Sequence, residues 1–258
     1  MAARTLLAGG EQAIPDMKQR ADIALVERGL AESRTRAQAL IMAGLVYSGE
    51  RRINKPGEAI PEGLPLELRG QDHPWVSRGG VKLAHGIAHF GLSPAGRTCL
   101  DLGASTGGFT DVLLHHGAAH VHALDVGHGQ LAWKLRNDPR VTVMERVNAR
   151  HLQPGDLPPL GALVCDASFI GLRTVLPAAL GFCAPGAWAI ALIKPQFEVG
   201  PAVAKGGVVR DPEVHAAVCA EIMAWWAGLP GWRVLEVEPS PILGPEGNRE
   251  FLIAAGRA

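Results

Sequence analysis

The chain has 258 residues, 47% of them hydrophobic and 19% charged, with a formal net charge of +0 at pH 7 and 4 cysteines. That length holds one large α/β domain, or a mid-sized domain with a small companion, and the apolar content excludes a disordered chain. Zero net charge supplies no overall field for nucleic acid, and no apolar run approaches the roughly 18 residues of a membrane span.

Residues 1–17 show no sustained period and contain Gly9-Gly10 and Pro15; a flexible tail is expected, with Met17 as an alternative start. No basic-then-apolar leader opens the chain, and Cys99, Cys165, Cys183 and Cys219 avoid C-x-x-C spacing. A cytoplasmic protein with reduced thiols is the expectation.

From Arg20 the pattern tightens. "ADIALVERGL" spaces Ile23, Val26 and Leu30 along one face of a helix that Gly29 would end. Ser33 is a good N-cap for a second helix carrying Ala37, Leu40 and Ile41, with Arg34 and Gln38 four apart on its other face and Gly44 as its stop. Short strand-like pieces follow in "LVYSGERRINKPGEAI" and "LPLEL". This small α/β unit, residues 18–70, carries Arg20, Arg28, Arg34, Arg36, Arg51, Arg52 and Lys55. Arginine on the outer side of two helices and a turn suits phosphate, so RNA contact is expected of these residues and of Arg78.

Residues 71–77 are polar, with Pro74, and read as a linker to a second domain, 78–258. A helix there points Leu83, Ile87 and Phe90 inward. Strands then alternate with helices: 98–103, 120–127, 141–146, 162–168, 188–194, 232–240 and 250–256. Continuously apolar strands in such alternation predict a doubly wound, mostly parallel α/β sheet.

In that architecture ligands bind beyond the carboxyl ends of the strands. "LDLGASTGGFTDVLL" puts Asp101, Gly103, Ala104, Ser105, Thr106, Gly107 and Gly108 there. Its glycines are not spaced G-x-G-x-x-G, so a dinucleotide fits poorly. Asp101 suits a cationic group such as an amino-acid ammonium. Asp125, 22 positions after Gly103, suits a ribose diol, with Val126 beside it and Asn148 at an adenine edge. A nucleoside joined to an amino acid without phosphates is S-adenosylmethionine.

Asp166 and Lys194 end the fourth and fifth strands of this domain, Lys82 lies on its first helix and Glu250 opens its last strand. Two lysines and two carboxylates beside a methyl donor suit the deprotonation of a weak hydroxyl nucleophile. Burial and a second cation lower a lysine's pKa, and carboxylates fix its position. His115, His116, His120, His122 and His128 cluster without a Cys or acidic partner at ligand spacing, so no metal is expected there. "KGGVVRDP", 205–212, reads as a mobile flap.

The segments "SRGGVKL", "LDLGASTGGFTDVLL", "LDVGHGQLAWKLRNDPRV", "SFIGL", "LIKPQFEVG", "KGGVVRDP" and "PSPILGPEGNREFL" together resemble the TlyA (haemolysin A) family of FtsJ-like ribose methyltransferases. The resemblance runs from about Lys18 to the C-terminus. It implies an alpha-L RNA-binding motif, a class I methyltransferase (Rossmann-like) sheet with an antiparallel last strand, and 2′-O-methylation of cytidine in ribosomal RNA. The family's K-D-K-E tetrad falls on Lys82, Asp166, Lys194 and Glu250. Phe169 matches an aromatic position near the cofactor, and Pro74 to Gly79 the interdomain hinge. Ribosomal RNA or subunits are the expected partners, a monomer the expected state. A nicotinamide oxidoreductase, a membrane-lytic protein and an inactive RNA-binding module are the rival readings.

Overall fold

The computed structural model describes residues 18–31, 33–69, 73–200 and 203–258. The expected tail and residues 71–72 of the expected linker lie outside the described residues. The chain divides into two compact units, Met1–Asp72 and His73–Ala258.

In the first unit β1 (Lys18–Arg20) pairs antiparallel with β4 (Ala59–Pro61) and leads straight into α1 (Ala21–Glu27). Ser33 caps α2 (Arg34–Met42) by accepting the Arg36 amide. β2 (Val46–Ser48) then pairs antiparallel with both β3 (Arg51–Arg52) and β5 (Glu67–Leu68). Leu25, Ile41, Val46, Ile53 and Ile60 are fully buried between helices and strands. The inward face of α1 is Ala21, Asp22, Ala24 and Leu25, not the expected Ile23, Val26 and Leu30, which are half-buried. The two alanines let the helix sit close to its neighbours, and they leave room beneath it for a carboxylate.

The second unit holds a seven-stranded sheet. Its strands are β6 (Thr98–Leu102), β7 (His120–Asp125), β8 (Val141–Glu145), β9 (Leu160–Cys165), β10 (Cys183–Ile193), β11 (Trp232–Pro239) and β12 (Phe251–Arg257). The order is β11-β12-β10-β9-β6-β7-β8, with β12 antiparallel to both neighbours and the other pairs parallel. The last strand in sequence is therefore the antiparallel one, as expected.

Strand alternation sorts the core into two layers. Leu100, Leu102, Ala189, Ala191 and Ile193 face α6 (Leu172–Leu180) and α8 (Pro212–Ala227). Cys99, Trp188, Ile190 and Leu192 face α3 (Gly79–Phe90) and α4 (Gly108–His115). From β6 the chain winds outward through β7 and β8, then returns to β9 on the other side. That reversal opens a crevice at the carboxyl ends of β6 and β9, the usual ligand position in such sheets.

Two segments differ from expectation. Trp75 and Val76, within the expected linker, are buried in the second unit's core. Val76 donates its amide to Asp111 at 2.9 Å, and Trp75 lies edge-on to His115. In the glycine-rich stretch expected as a flap, Val209 is buried and its amide bonds Asn248 Oδ1 at 3.2 Å. Its carbonyl meets His215 Nε2 at 3.0 Å. Among the described residues, no helix is long and apolar enough to cross a membrane.

Candidate active site

The four residues expected as a tetrad form two ion pairs. Lys194 Nζ lies 2.6 Å from Asp166 Oδ1, 2.8 Å from Ser168 Oγ and 3.4 Å from the Asp166 carbonyl. Lys82 pairs with Glu250. Both lysines and Glu250 are buried. A buried ammonium is tolerated only when its N–H groups have acceptors, and the segment just after β9 supplies three to Lys194. Pro195 follows as the first residue of α7 (Pro195–Glu198), where its fixed φ and missing N–H cost nothing; the strand is turned away directly after the lysine. The N-terminal turn of α3 approaches the same place: a Cβ on Gly79 would lie 3.6 Å from Asp166 Oδ2. Lys82 is one turn further along that helix.

Beside the tetrad is a cavity of about 480 Å³, lined by Gly103, Ser105, Asp125, Val126, Asn148, Asp166 and Phe169 from the expected set. Leu102, Leu124, Ile170 and Val175 give it apolar walls. Asp125 Oδ2 accepts the Ser105 amide at 2.8 Å, and its Oδ1 accepts the Gly127 amide at 2.7 Å. One carboxylate thus ties the β6 loop to the β7 loop while facing the cavity. Gly103 has φ +84°, and a Cβ there would meet Asp166 O and Ala167 N at 3.0 Å, so only glycine lets the β6 end close against the β9 end. Asn148 Oδ1 accepts from the Arg150 amide at 3.1 Å. Phe169 is 90% exposed at φ 65°, its ring 5.1 Å from that of Phe197. A bulky residue in the left-handed region is uncommon and strained.

Other expected ligands have different tasks. Asp101 is fully buried and absent from the cavity wall. Its Oδ2 accepts the Thr110 amide at 2.9 Å and the Thr110 hydroxyl at 2.7 Å, capping α4 from a neighbouring strand. Desolvation, partly offset by these bonds, raises its pKa to about 7. Gly107 and Gly108 also sit behind the cavity: a Cβ on Gly107 would strike Leu135 and Leu131, and one on Gly108 the Ser77 hydroxyl and Gly80 amide. They permit close helix packing. Ala104 is buried, and Thr106 offers its carbonyl to the Ala132 amide. Sequence reasoning did not single out Gly127, Gln130, Ala149, Arg150, Ala167 or Ser168, which complete the wall. Ser168, two residues after Asp166, had a usable signal: a hydroxyl next to a strand-end acid.

Several expected RNA-binding residues are engaged internally. Arg20 and Arg34 both pair with the fully buried Asp22, at 3.0 and 2.9 Å, and Gln38 joins them at 2.9 Å. Arg20 foremost, with Gln38 and Arg34, holds the Asp22 carboxyl well below the usual range. Arg28 donates to the carbonyls of Leu64 and Glu62, and Arg51 pairs with Glu58. Arg78 reaches the Leu243 carbonyl at 3.3 Å. Among the described residues Arg36, Arg52 and Lys55 enter no ion pair; Arg52 and Lys55 are exposed and Arg36 is half-buried.

The FtsJ-like methyltransferase family model matches residues 75–257, and the S4 domain model residues 19–64. The 16S/23S rRNA (cytidine-2′-O)-methyltransferase TlyA of Mycobacterium tuberculosis is 48% identical over 239 residues, 92% of this chain and 89% of the relative. Hemolysin A of Brachyspira hyodysenteriae is 38% identical over 229 residues, 87% of this chain and 94% of that protein. A solved structure described as a hemolysin of Streptococcus thermophilus aligns with a TM-score of 0.74 at 42% identity, covering 95% of this chain and 90% of that one. The paired lysines and carboxylates thus stand in a fold shared along nearly the whole chain, and the chain belongs to the FtsJ-like methyltransferases, with an S4 domain ahead of the catalytic one.

Proposed function

We propose that the protein transfers a methyl group from S-adenosylmethionine to the ribose 2′-hydroxyl of a cytidine in ribosomal RNA. The large subunit is the first candidate substrate and the small subunit the second. The observation that carries this reading is the pair of buried ion pairs, Lys194–Asp166 and Lys82–Glu250, beside a cavity that Asp166 also lines. The relatives named as rRNA cytidine methyltransferases support the choice of base and RNA class.

The cavity fits the cofactor in kind. It has apolar walls for an adenine, and the Asp125 carboxylate at the end of β7 can accept ribose hydroxyls. Asp125, Ser105, Val126, Asn148 and Gly103 would hold it. The bound cofactor supplies an electrophilic methyl on a sulfonium.

The chain's own contribution is to orient and deprotonate. Asp166 and Ser168 fix the Lys194 side chain at the cavity edge. Lys194 is the group placed to take the hydroxyl proton, with Asp166 to hold the ammonium that results. Lys82, held by Glu250, forms a second buried pair that joins α3 to the residue before β12. RNA is gripped through Arg36, Arg52 and Lys55 of the first unit, the arginines bound to Asp22 building the domain instead. The site of action is the cytoplasm.

The test is incubation of large- and small-subunit RNA with enzyme and labelled S-adenosylmethionine, followed by nuclease digestion and mass spectrometry. 2′-O-methylcytidine is the expected product. Label on a base, or none in either RNA, would overturn the reading.

A further inference from the structure

A second convergent cluster lies away from the cavity. His85 and His89 are four apart on α3, hence on one face of it. Glu236 and Glu238 are two apart on β11, the edge strand that faces this helix. His85 Nε2 is 3.2 Å from Glu238 Oε1. His89 Nε2 is 3.2 Å from Glu236 Oε2 and 3.7 Å from Glu238 Oε2. One donor atom each from His85, His89 and Glu238 all fall within 4.8 Å of one another.

We propose that His85, His89 and Glu238 bind a single divalent transition-metal ion of the zinc class, with Glu236 as an additional carboxylate. Bonds of about 2.0–2.1 Å in a tetrahedral shell place neighbouring donor atoms roughly 3.3–3.4 Å apart. The observed separations of 3.2 and 3.7 Å straddle that value. These two distances run to different oxygens of Glu238, and the convergence rests on one atom of each residue lying within 4.8 Å of the other two. The rings are stacked, 26° from parallel with centroids 5.8 Å apart, and Phe90 meets the His89 ring edge-on at 5.0 Å, limiting its rotation.

The donor set selects the ion. Two imidazoles with carboxylate and no thiolate suit zinc, cobalt, nickel or copper(II), while magnesium and calcium prefer an all-oxygen shell. The side chains of His85, His89 and Glu238 are 34%, 30% and 26% exposed, so an ion can enter and keep a water without opening the core. Its place in the fold defines its effect. The ion would clamp α3, which carries Lys82, onto β11, which pairs with β12 at Glu238 opposite Leu252.

Tag-free full-length protein, stripped with chelator, is titrated with zinc by calorimetry and with cobalt by visible absorption. One equivalent per chain, a tetrahedral cobalt spectrum and a zinc-dependent rise in melting temperature are expected. His89→Gln and Glu238→Gln should each weaken binding by ~10-fold or more and abolish the rise, while His120→Gln changes neither. Zinc should also shift the ring NMR signals of His85 and His89 in the unmodified protein, a readout that needs no variant. Absence of saturable binding, or binding that leaves those two rings unshifted, overturns the proposal.

Discussion

The Lys194 ammonium meets Asp166 twice, at 2.6 Å from its carboxylate and 3.4 Å from its backbone carbonyl, with Ser168 Oγ as the third acceptor at 2.8 Å. The lysine is therefore fixed from one side by a single strand end. Lys194→Ala is expected to lower the methylation rate by about 10³-fold, within the span of a lost general base, with less than about a threefold change in cofactor affinity. Lys194→Arg should not rescue it, because a guanidinium stays charged and cannot accept a proton. Single-turnover kinetics beside equilibrium binding checks the split; equal loss in both would show that the residue merely supports the cavity.

Asp125 joins two loops through the Ser105 and Gly127 amides while facing the cavity. Asp125→Ala removes the carboxylate for the ribose and frees both amides. A charged hydrogen bond lost here costs about 2 kcal/mol, or roughly thirtyfold in cofactor affinity. Calorimetric titration with S-adenosylmethionine measures it directly. Asp125→Asn should fall between the two, since its one carbonyl oxygen can keep only part of this bonding. Unaltered affinity in the alanine variant would remove Asp125 from the cofactor site.

The sheet was legible because its central strands β6, β9 and β10 are largely apolar on both faces and end at a polar or glycine residue, as at Leu102-Gly103 and Ile193-Lys194. The meeting of Asp166 and Lys194 was legible for the same reason: strand ends in this topology converge on one crevice. Asp101 was not, because an acid near a strand end reads alike whether it faces the cleft or lies beneath a helix. The pleat decides, and Asp101 shares its side with Cys99, under α4. The internal pairing of two arginines was hidden for a related reason. Arg20 and Arg34 look like surface charge until Asp22 is seen to lie on the buried face with Ala21 and Leu25. "PWV" was discounted because its neighbours are polar, although Trp75 and Val76 bury against α3 and α4.

Asp22 gives the first unit a distinct pH response. Its carboxyl titrates well below the usual value in the fold, so its stabilisation is complete above the unfolded pKa of about 3.9 and is lost as pH falls beneath it. Asp22→Asn loses the ion pairs at every pH. At pH 7 the variant should protect α1 and α2 from hydrogen exchange less than the parent, by about 2 kcal/mol. The gap should narrow between pH 5 and pH 3. Mass spectrometry of peptides spanning 21–42 reads it, and a gap independent of pH would mean that the carboxylate's charge is immaterial.

Asp101 predicts the opposite slope. Burial raises its pKa to about 7, Thr110 donates twice to Oδ2, and Oδ1 has no partner among the described residues. Because the folded pKa exceeds the unfolded one, the fold binds the extra proton. Its contribution is full below about pH 3.9 and is lost as pH rises through about 7. Asparagine carries no charge to desolvate, and its Oδ1 can still accept both Thr110 donors. Asp101→Asn should therefore lie within about 1 kcal/mol of the parent at pH 5.5 and exceed it by about 1–3 kcal/mol at pH 8.5. The 6 tryptophans all lie in the second unit, so urea unfolding followed by their fluorescence reports on the right domain. A variant less stable by the same amount at both pH values would mean that Asp101 is ionised throughout, and that its charge holds Thr110 and the start of α4.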